Sequence, residues 1–326
     1  MSSDELPQVS RRRLLGTLAA AGGAAAAAGC TSSPATAGGA TAAEHGTPAR
    51  FHGQVDIGDR KIYLETASAG SPTVVLQSGY HDNAALWSQA DTTPPAVGPA
   101  VLPGLATTNR VCAYDRPGTL DYTRNPPTIT TRSSPVPMPR TAADVARELH
   151  TLLAKAHVPQ PYVLVGHSLG GLFMLLYART YPDQVVGVVL VDAFSPKIPA
   201  MFGPAWPSYR KLLNYPGVPQ GTKPGWEVID IDRSIAQLNA APPLRPGLPL
   251  MVLSKTKPFV LPPSVVGFTS AQLQRIWNRT QNELPALEPQ TPHLIATGSD
   301  HYIQVRQPDV VISATRLIIA RSRHAH

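Results

Sequence analysis

Val163-Leu164-Val165-Gly166-His167-Ser168-Leu169-Gly170-Gly171 is where the chain changes character. Before it, an apolar β-branched run from Tyr162 to Val165 reads as a buried strand; after it, Leu169 to Arg179 is rich in helix formers. Strand, corner and helix are therefore written consecutively with one residue at the corner, which is the setting in which G-x-S-x-G makes a nucleophile elbow. The glycines two before and two after Ser168 lack the Cβ atoms that would clash as strand and helix close up. The serine itself takes a strained backbone conformation that holds its hydroxyl above the sheet. A helix starting at Leu169 aims its free N–H groups and positive dipole end at the space where an oxyanion would form. A bare G-x-S-x-G is also compatible with a plain glycine-rich turn; the flanking strand and helix give it weight.

Upstream, Phe51 to Ile57 and Arg60 to Thr66 alternate across Gly58-Asp59 and read as a hairpin. Thr73 to Gln77 is a buried strand that runs into Ser78-Gly79-Tyr80-His81-Asp82-Asn83 and a helical stretch with Trp87. His81 and Asp82 read there as solvated residues of an ordinary loop. Arg110 to Tyr114 is a further strand, ending in Asp115-Arg116-Pro117-Gly118. The proline-rich run from Asn125 to Pro139 can be neither helix nor central strand and must lie over the surface. Thr141 then caps a helix with Asp144 in its first turn, and Val145, Leu149, Leu152 and Leu153 give it one buried face.

Downstream, Val185 to Val191 is an almost unbroken Val/Leu run, the mark of a parallel strand buried on both faces. Asp192 ends it, on the sheet edge where ligands and catalytic groups gather. Residues 193–247 break the strand–helix rhythm with prolines and aromatics and read as a cap insertion holding one helix, Trp226 to Asn239. Phe194, Phe202 and Trp206 there are candidates for an apolar substrate-binding wall; the alternative makes them the cap's own small core. Strands at Pro249 to Ser254 and His293 to Thr297, a helix from Ser270 to Leu284 and a closing helix from Pro308 to Arg321 complete the order. Of ten histidines, His301 stands just after the last strand, whereas His167 lies inside the elbow and His150 and His157 on or after a surface helix.

The elbow, Gly79-Tyr80 after the third strand, Tyr114-Asp115-Arg116-Pro117-Gly118 after the fourth, and His301 after the last together resemble the α/β-hydrolase superfamily of serine hydrolases over residues 51 to about 322. The resemblance implies an α/β-hydrolase fold: a mostly parallel eight-stranded sheet, helices on both faces and a small cap inserted after strand 6. It makes Ser168 the nucleophile, His301 the general base and the backbone N–H groups of Tyr80 and Leu169 the oxyanion hole, with Ser78 where histidine often stands in that loop. The Tyr114-Asp115-Arg116 element has a structural role in such proteins. The chain departs from the commoner pattern after the Pro249–Ser254 strand, where Lys255-Thr256-Lys257-Pro258-Phe259 offers no carboxylate. Asp192 is expected to supply the triad acid, as in haloalkane dehalogenases, with Glu283 or Glu288 as the competing choices; Asp300, adjacent to His301 on an extended loop, points away.

The expected chemistry is hydrolysis of carboxylic esters of small to medium, partly apolar substrates through an acyl-enzyme. Peptidase, lactonase or carbon–carbon hydrolase activity would use the same triad, and a catalytically dead cell-surface binding protein is the non-enzymatic alternative. Serine at the elbow disfavours dehalogenase and epoxide-hydrolase chemistry, which in this fold use aspartate there. No cofactor and no metal are expected: neither paired His/Cys ligands nor a phosphate-binding glycine loop occurs.

The chain has 326 residues, 43% hydrophobic and 15% charged, enough for one large α/β domain over 51–326 with an ample core; 35 prolines point to stiff surface loops. The net charge is +7, and no basic stripe interleaved with aromatics suggests nucleic acid. Residues 1–29 read as an export signal: Arg11-Arg12 resembles a twin-arginine motif, and the apolar run from Leu14 to Ala28 is too short to span a bilayer comfortably. Ala27-Ala28-Gly29-Cys30 resembles a bacterial lipobox, which implies a lipid on Cys30 and anchoring at the outer face of the membrane; cleavage near Ala35-Thr36-Ala37 would instead release a secreted enzyme. Residues 30–50 read as a flexible tether. Cys112, in an apolar strand, is a small core residue, so no disulfide is expected.

Overall fold

The computed structural model describes residues 50–323. The export signal, Cys30 and all but the last residue of the tether lie outside these residues.

Eight strands make the main sheet: β1 Phe51–Asp56, β2 Lys61–Ala67, β3 Thr73–Gln77, β4 Val111–Tyr114, β5 Tyr162–His167, β6 Val185–Val191, β7 Leu250–Lys255 and β8 His293–Ala296. Their spatial order is β1-β2-β4-β3-β5-β6-β7-β8. β2 runs antiparallel to both β1 and β4, and every other pairing is parallel. Every residue of β3, β5, β6 and β7 is buried, as continuous apolar runs in a sheet covered on both faces must be.

The period of two along these strands divides the interior. Val75 and Leu164 face one core, while Val74, Leu76, Val163 and Val165 face the other. The first core is closed by α2 Ala142–Lys155 and α3 Leu169–Thr180, the second by α1 Val101–Leu105 and, at the end of the chain, Pro308–Ser322. The start of α2 is fixed by a capping box, in which the Thr141 side chain accepts from the Asp144 N–H and the Asp144 carboxylate accepts from the Thr141 N–H.

Between β6 and β7 the structure differs from the sequence-based expectation of one helix. Three are present: α4 Ile198–Phe202, α5 Trp206–Asn214 and α6 Ile231–Ala240. The prolines of α4 and α5 fall in the first turn of each, where the missing N–H has no helical partner to lose. α6 starts five residues later than expected because Asp230 is its N-cap, accepting from the Arg233 N–H. The rest of the chain adds α7 Ser270–Glu283, α8 Ile303–Arg306 and α9 Pro308–Ser322.

Candidate active site

Since β5, β6, β7 and β8 are parallel, the residues that follow them meet at one edge of the sheet. Ser168 stands between β5 and α3 with φ 52° and ψ −127°, a conformation costing a non-glycine residue roughly 1–3 kcal/mol. Surrounding bonds over-determine it: the Ser168 N–H donates to Val191 O (3.0 Å), and its carbonyl accepts from Gly171 N–H and Phe194 N–H (2.9 Å each). The elbow closes only because Gly166 and Gly170 have no side chains. A Cβ on Gly166 would lie 2.7 Å from Gly170 O and Gly171 Cα, and one on Gly170 would lie 2.6 Å from Gln77 O and Ser78 O. β5, α3 and the loop after β3 thus converge on the serine.

His301 Nε2 is 2.9 Å from Ser168 Oγ, and His301 Nδ1 is 2.6 Å from Asp192 Oδ2. An ionised carboxylate only accepts, so the ring proton sits on Nδ1 and the Nε2 lone pair faces the serine hydroxyl. Asp192 is fully buried with φ +42°; its N–H donates to Leu253 O (2.7 Å) and its Oδ1 accepts from Lys255 N–H (3.2 Å). The competing carboxylates are engaged elsewhere. Glu283 pairs with Lys197 at 2.9 Å, Glu288 accepts from Gly247 N–H at 2.7 Å, and Asp300 pairs with Arg306 at 2.9 Å while accepting from Tyr302 N–H.

Rings enclose the imidazole. Phe259 and Trp277 each stand 5.3 Å from the His301 ring, Tyr302 5.7 Å and His167 4.7 Å. His167 is fully buried and donates from Nε2 to the His301 carbonyl oxygen (2.8 Å). Burial pushes its pKa well below the ordinary histidine value, and proximity to His301 adds to the push, so His167 holds its neighbour as a neutral ring.

The two expected oxyanion donors belong to the loop after β3 and to the start of α3. Leu169 is the first residue of α3, so its N–H has no acceptor one turn back. Tyr80 N–H makes no hydrogen bond among the described residues. Its loop is held by fully buried Arg116, which donates from Nη1 to Ser78 O (2.8 Å) and from Nη2 to Gly79 O (2.7 Å). Arg116 also binds fully buried Glu227, Nε to Oε1 at 2.6 Å and Nη2 to Oε2 at 3.1 Å. Burial alone would raise the Glu227 carboxyl, but the Arg116 charge, the Arg116 hydrogen bonds and the His81 contacts together outweigh it and hold the group below the ordinary carboxylate range.

His81 and Asp82 are buried, not solvated as expected. The His81 ring is stacked between Tyr80 (3.8 Å) and Trp226 (4.1 Å), the His81 backbone N–H donates to Glu227 Oε2 (2.8 Å), and Asp82 accepts from Tyr122 O–H (3.0 Å). The chain from Leu213 to Ile229 covers this loop, which local sequence cannot show.

Of the candidate pocket aromatics, Phe202 is stacked on Tyr209 (4.6 Å) and meets Phe268 edge-on (5.3 Å), and Trp206 Nε1 donates to Asp232 (2.7 Å). Both belong to an aromatic core of the insertion. Phe194 links that core to Trp277 (6.3 Å). The rings that reach His301, Phe259 and Trp277, were not singled out from sequence, although both lie in the segment that follows the acid-free end of β7. A separate cavity of about 460 Å³ beside α2 is lined by Arg60, Arg140, Arg147, Asp144 and Glu148 and by none of the candidate site residues.

Comparison with known proteins agrees with the fold. The family model described as alpha/beta hydrolase fold matches residues 72–317, and the chain belongs to that family. It is 32% identical over 137 residues to a Yersinia enterocolitica protein named "Putative carbamate hydrolase RutD", a match covering 41% of each chain. The chain spans 16–41% of the length of the six curated relatives it matches. Among solved structures it is similar to the serine hydrolase CarC, involved in carbazole degradation, with TM-score 0.52 and 15% identity over 83% of this chain and 99% of that one. The haloalkane dehalogenase DatA of Agrobacterium tumefaciens gives TM-score 0.51 and 16% identity over 86% and 98%. The neighbours share the fold and differ in chemistry, so the reaction must be argued from the site.

Proposed function

We propose that the protein is a serine hydrolase acting on carboxylic esters of small to medium, partly apolar acyl groups. The observation that carries this is the continuous hydrogen-bonded line from Ser168 Oγ through His301 to Asp192, with the serine at a left-handed elbow. As Ser168 Oγ attacks the ester carbonyl, its proton passes to His301 Nε2, and Asp192 stabilises the imidazolium that forms. The carbonyl oxygen becomes an anion facing Tyr80 N–H and Leu169 N–H. Collapse expels the alcohol, which takes the proton from His301, and leaves an acyl group on Ser168. Water, deprotonated by His301, then attacks that acyl group; the acyl–Oγ bond breaks, His301 returns the proton to Ser168 Oγ and the acid departs.

Fluorophosphonate labelling tests the nucleophile: the parent protein should be modified covalently and Ser168→Ala not at all. A folded parent that resists the probe and hydrolyses no ester would leave the dead-scaffold alternative. A panel of aryl esters of rising acyl length, with amide and carbamate controls, tests the substrate class. Turnover should peak at short to medium acyl chains; a higher rate on emulsified long-chain lipid would overturn that part.

A further inference from the structure

Three main-chain groups around Tyr80 are bound by one buried ion pair. Arg116 takes the carbonyls of Ser78 and Gly79, Glu227 takes the N–H of His81, and Arg116 and Glu227 grip each other through two hydrogen bonds. With the atoms on both sides fixed, the Tyr80 peptide has one orientation left. The Arg116 guanidinium also lies 5.5 Å from the Phe173 ring of α3, the helix that supplies the Leu169 N–H. Glu227, however, belongs to the insertion between β6 and β7, 111 residues along the chain from Arg116. It is held in place by its own N–H, which donates to Gly118 O (3.0 Å), and by its neighbours: Trp226 stacks on His81, and Ile229 N–H donates to the Tyr80 hydroxyl (2.6 Å). The Tyr80 hydroxyl in turn donates to Asn214 at the end of α5.

We propose that Glu227, acting through Arg116 and the His81 N–H, is a positioning residue for the oxyanion hole, so that the insertion supplies part of the scaffold that aims Tyr80 N–H. The insertion is then a working part of the hydrolytic centre as well as a cover over it. This rests on the proposed ester hydrolysis. It places the effect of Glu227 on transition-state stabilisation and not on substrate affinity.

The test uses a matched pair of aryl ester and aryl thionoester, because thiocarbonyl sulfur is a poor hydrogen-bond acceptor and reports how much the oxyanion hole contributes. The parent should favour the oxygen ester. Glu227→Gln should lower kcat on that ester by roughly ten- to a hundredfold, below the effect of deleting a donor outright, with KM within a few fold. It should cost the thionoester far less, so the preference narrows. Arg210→Ala, which breaks the exposed Arg210–Asp232 pair of the same insertion, should keep the parental ratio. Glu227→Asp keeps the charge for Arg116 and withdraws it by one methylene from the His81 N–H; it carries the same expectation if the glutamine variant does not fold. A folded Glu227 variant with a lowered melting temperature but the parental ratio would overturn the proposal. No ester turnover by the parent would sink this and the proposed function together, whereas an active parent with an unmoved ratio sinks the scaffold alone.

Discussion

On the His301 side of Ser168 the walls are rings: Phe259, Trp277, Tyr302 and the neutral His167 surround the imidazole. On the Tyr80 side they are buried ions, Arg116 and Glu227, bonded to main-chain atoms. The difference follows from what each side has to hold. An imidazole is a flat body that packing against other rings confines, and one carboxylate then sets its tautomer. A peptide N–H cannot be aimed by packing alone, since its direction is fixed only when neighbouring carbonyls and amides have directional partners. Charged partners make those bonds about twice as strong as neutral ones, and the cost of burying them is offset by their mutual pairing. Apolar walls also strengthen the attraction between Asp192 and the imidazolium by excluding water from between them.

The largest effect that would break this contrast lies on the ring side. Asp192→Asn should fold normally yet lose roughly a thousandfold or more in turnover, because the amide permits the wrong imidazole tautomer. Glu283→Gln and Glu288→Gln should stay within a few fold of the parent, in keeping with their pairing to Lys197 and Gly247. Circular dichroism and melting curves must accompany the kinetics. A well-folded, nearly active Asp192→Asn beside one inactive glutamate variant would move the acid to the end of α7 or the segment after it and leave the rings around a histidine held by something else.

The ring side was the more legible in sequence. Ser168 follows from a strand, a glycine-flanked corner and a helix written in succession, and His301 from its place after the final strand; both depend on a few consecutive residues. Asp192 rested on the absence of a carboxylate at Lys255-Thr256-Lys257, on its place at the end of the Val185–Val191 strand and on the resemblance to proteins that carry the acid there. The ion side was not legible, because its partners are 111 and 146 residues apart and neither flank announces the other. One signal was available: an arginine two residues past the apolar strand Val111-Cys112-Ala113-Tyr114 has to find a carboxylate if it is buried. Glu227 was hidden by reading 226–239 as one helix, when Asp230 caps the helix and leaves Glu227 outside it, bonded to Gly118. Reading prolines as breakers concealed α4 and α5 for the opposite reason, since first-turn prolines begin helices as readily as others end them.

The smallest expected effect concerns a buried cation on the ring side. Lys255 ends β7, where its ammonium donates to Lys257 O and to Gln274 Oε1 (2.7 Å each) and lies 3.7 Å from the Phe259 ring. Burial lowers its pKa from 10.5 to about 8, against the opposing pull of Asp192 and Asp300. Between about pH 8 and 10.5 the unfolded chain therefore binds more protons at this site than the folded one, and stability rises with pH through that window. The contribution is complete above the unfolded value and is lost as pH falls through about 8. Lys255→Met has no such group, so pH effects common to both proteins cancel in the difference between their melting temperatures. That difference should shift in favour of the parent by roughly 2–4 °C between pH 7 and pH 10, the scale of about 1 kcal/mol in a domain of this size, with the methionine variant at least as stable at pH 7. A difference that stays flat would mean that the Lys255 ammonium is solvated in the folded protein. The His301 side would then be wetter than its rings suggest, and the contrast with the Arg116–Glu227 side would shrink to the imidazole alone.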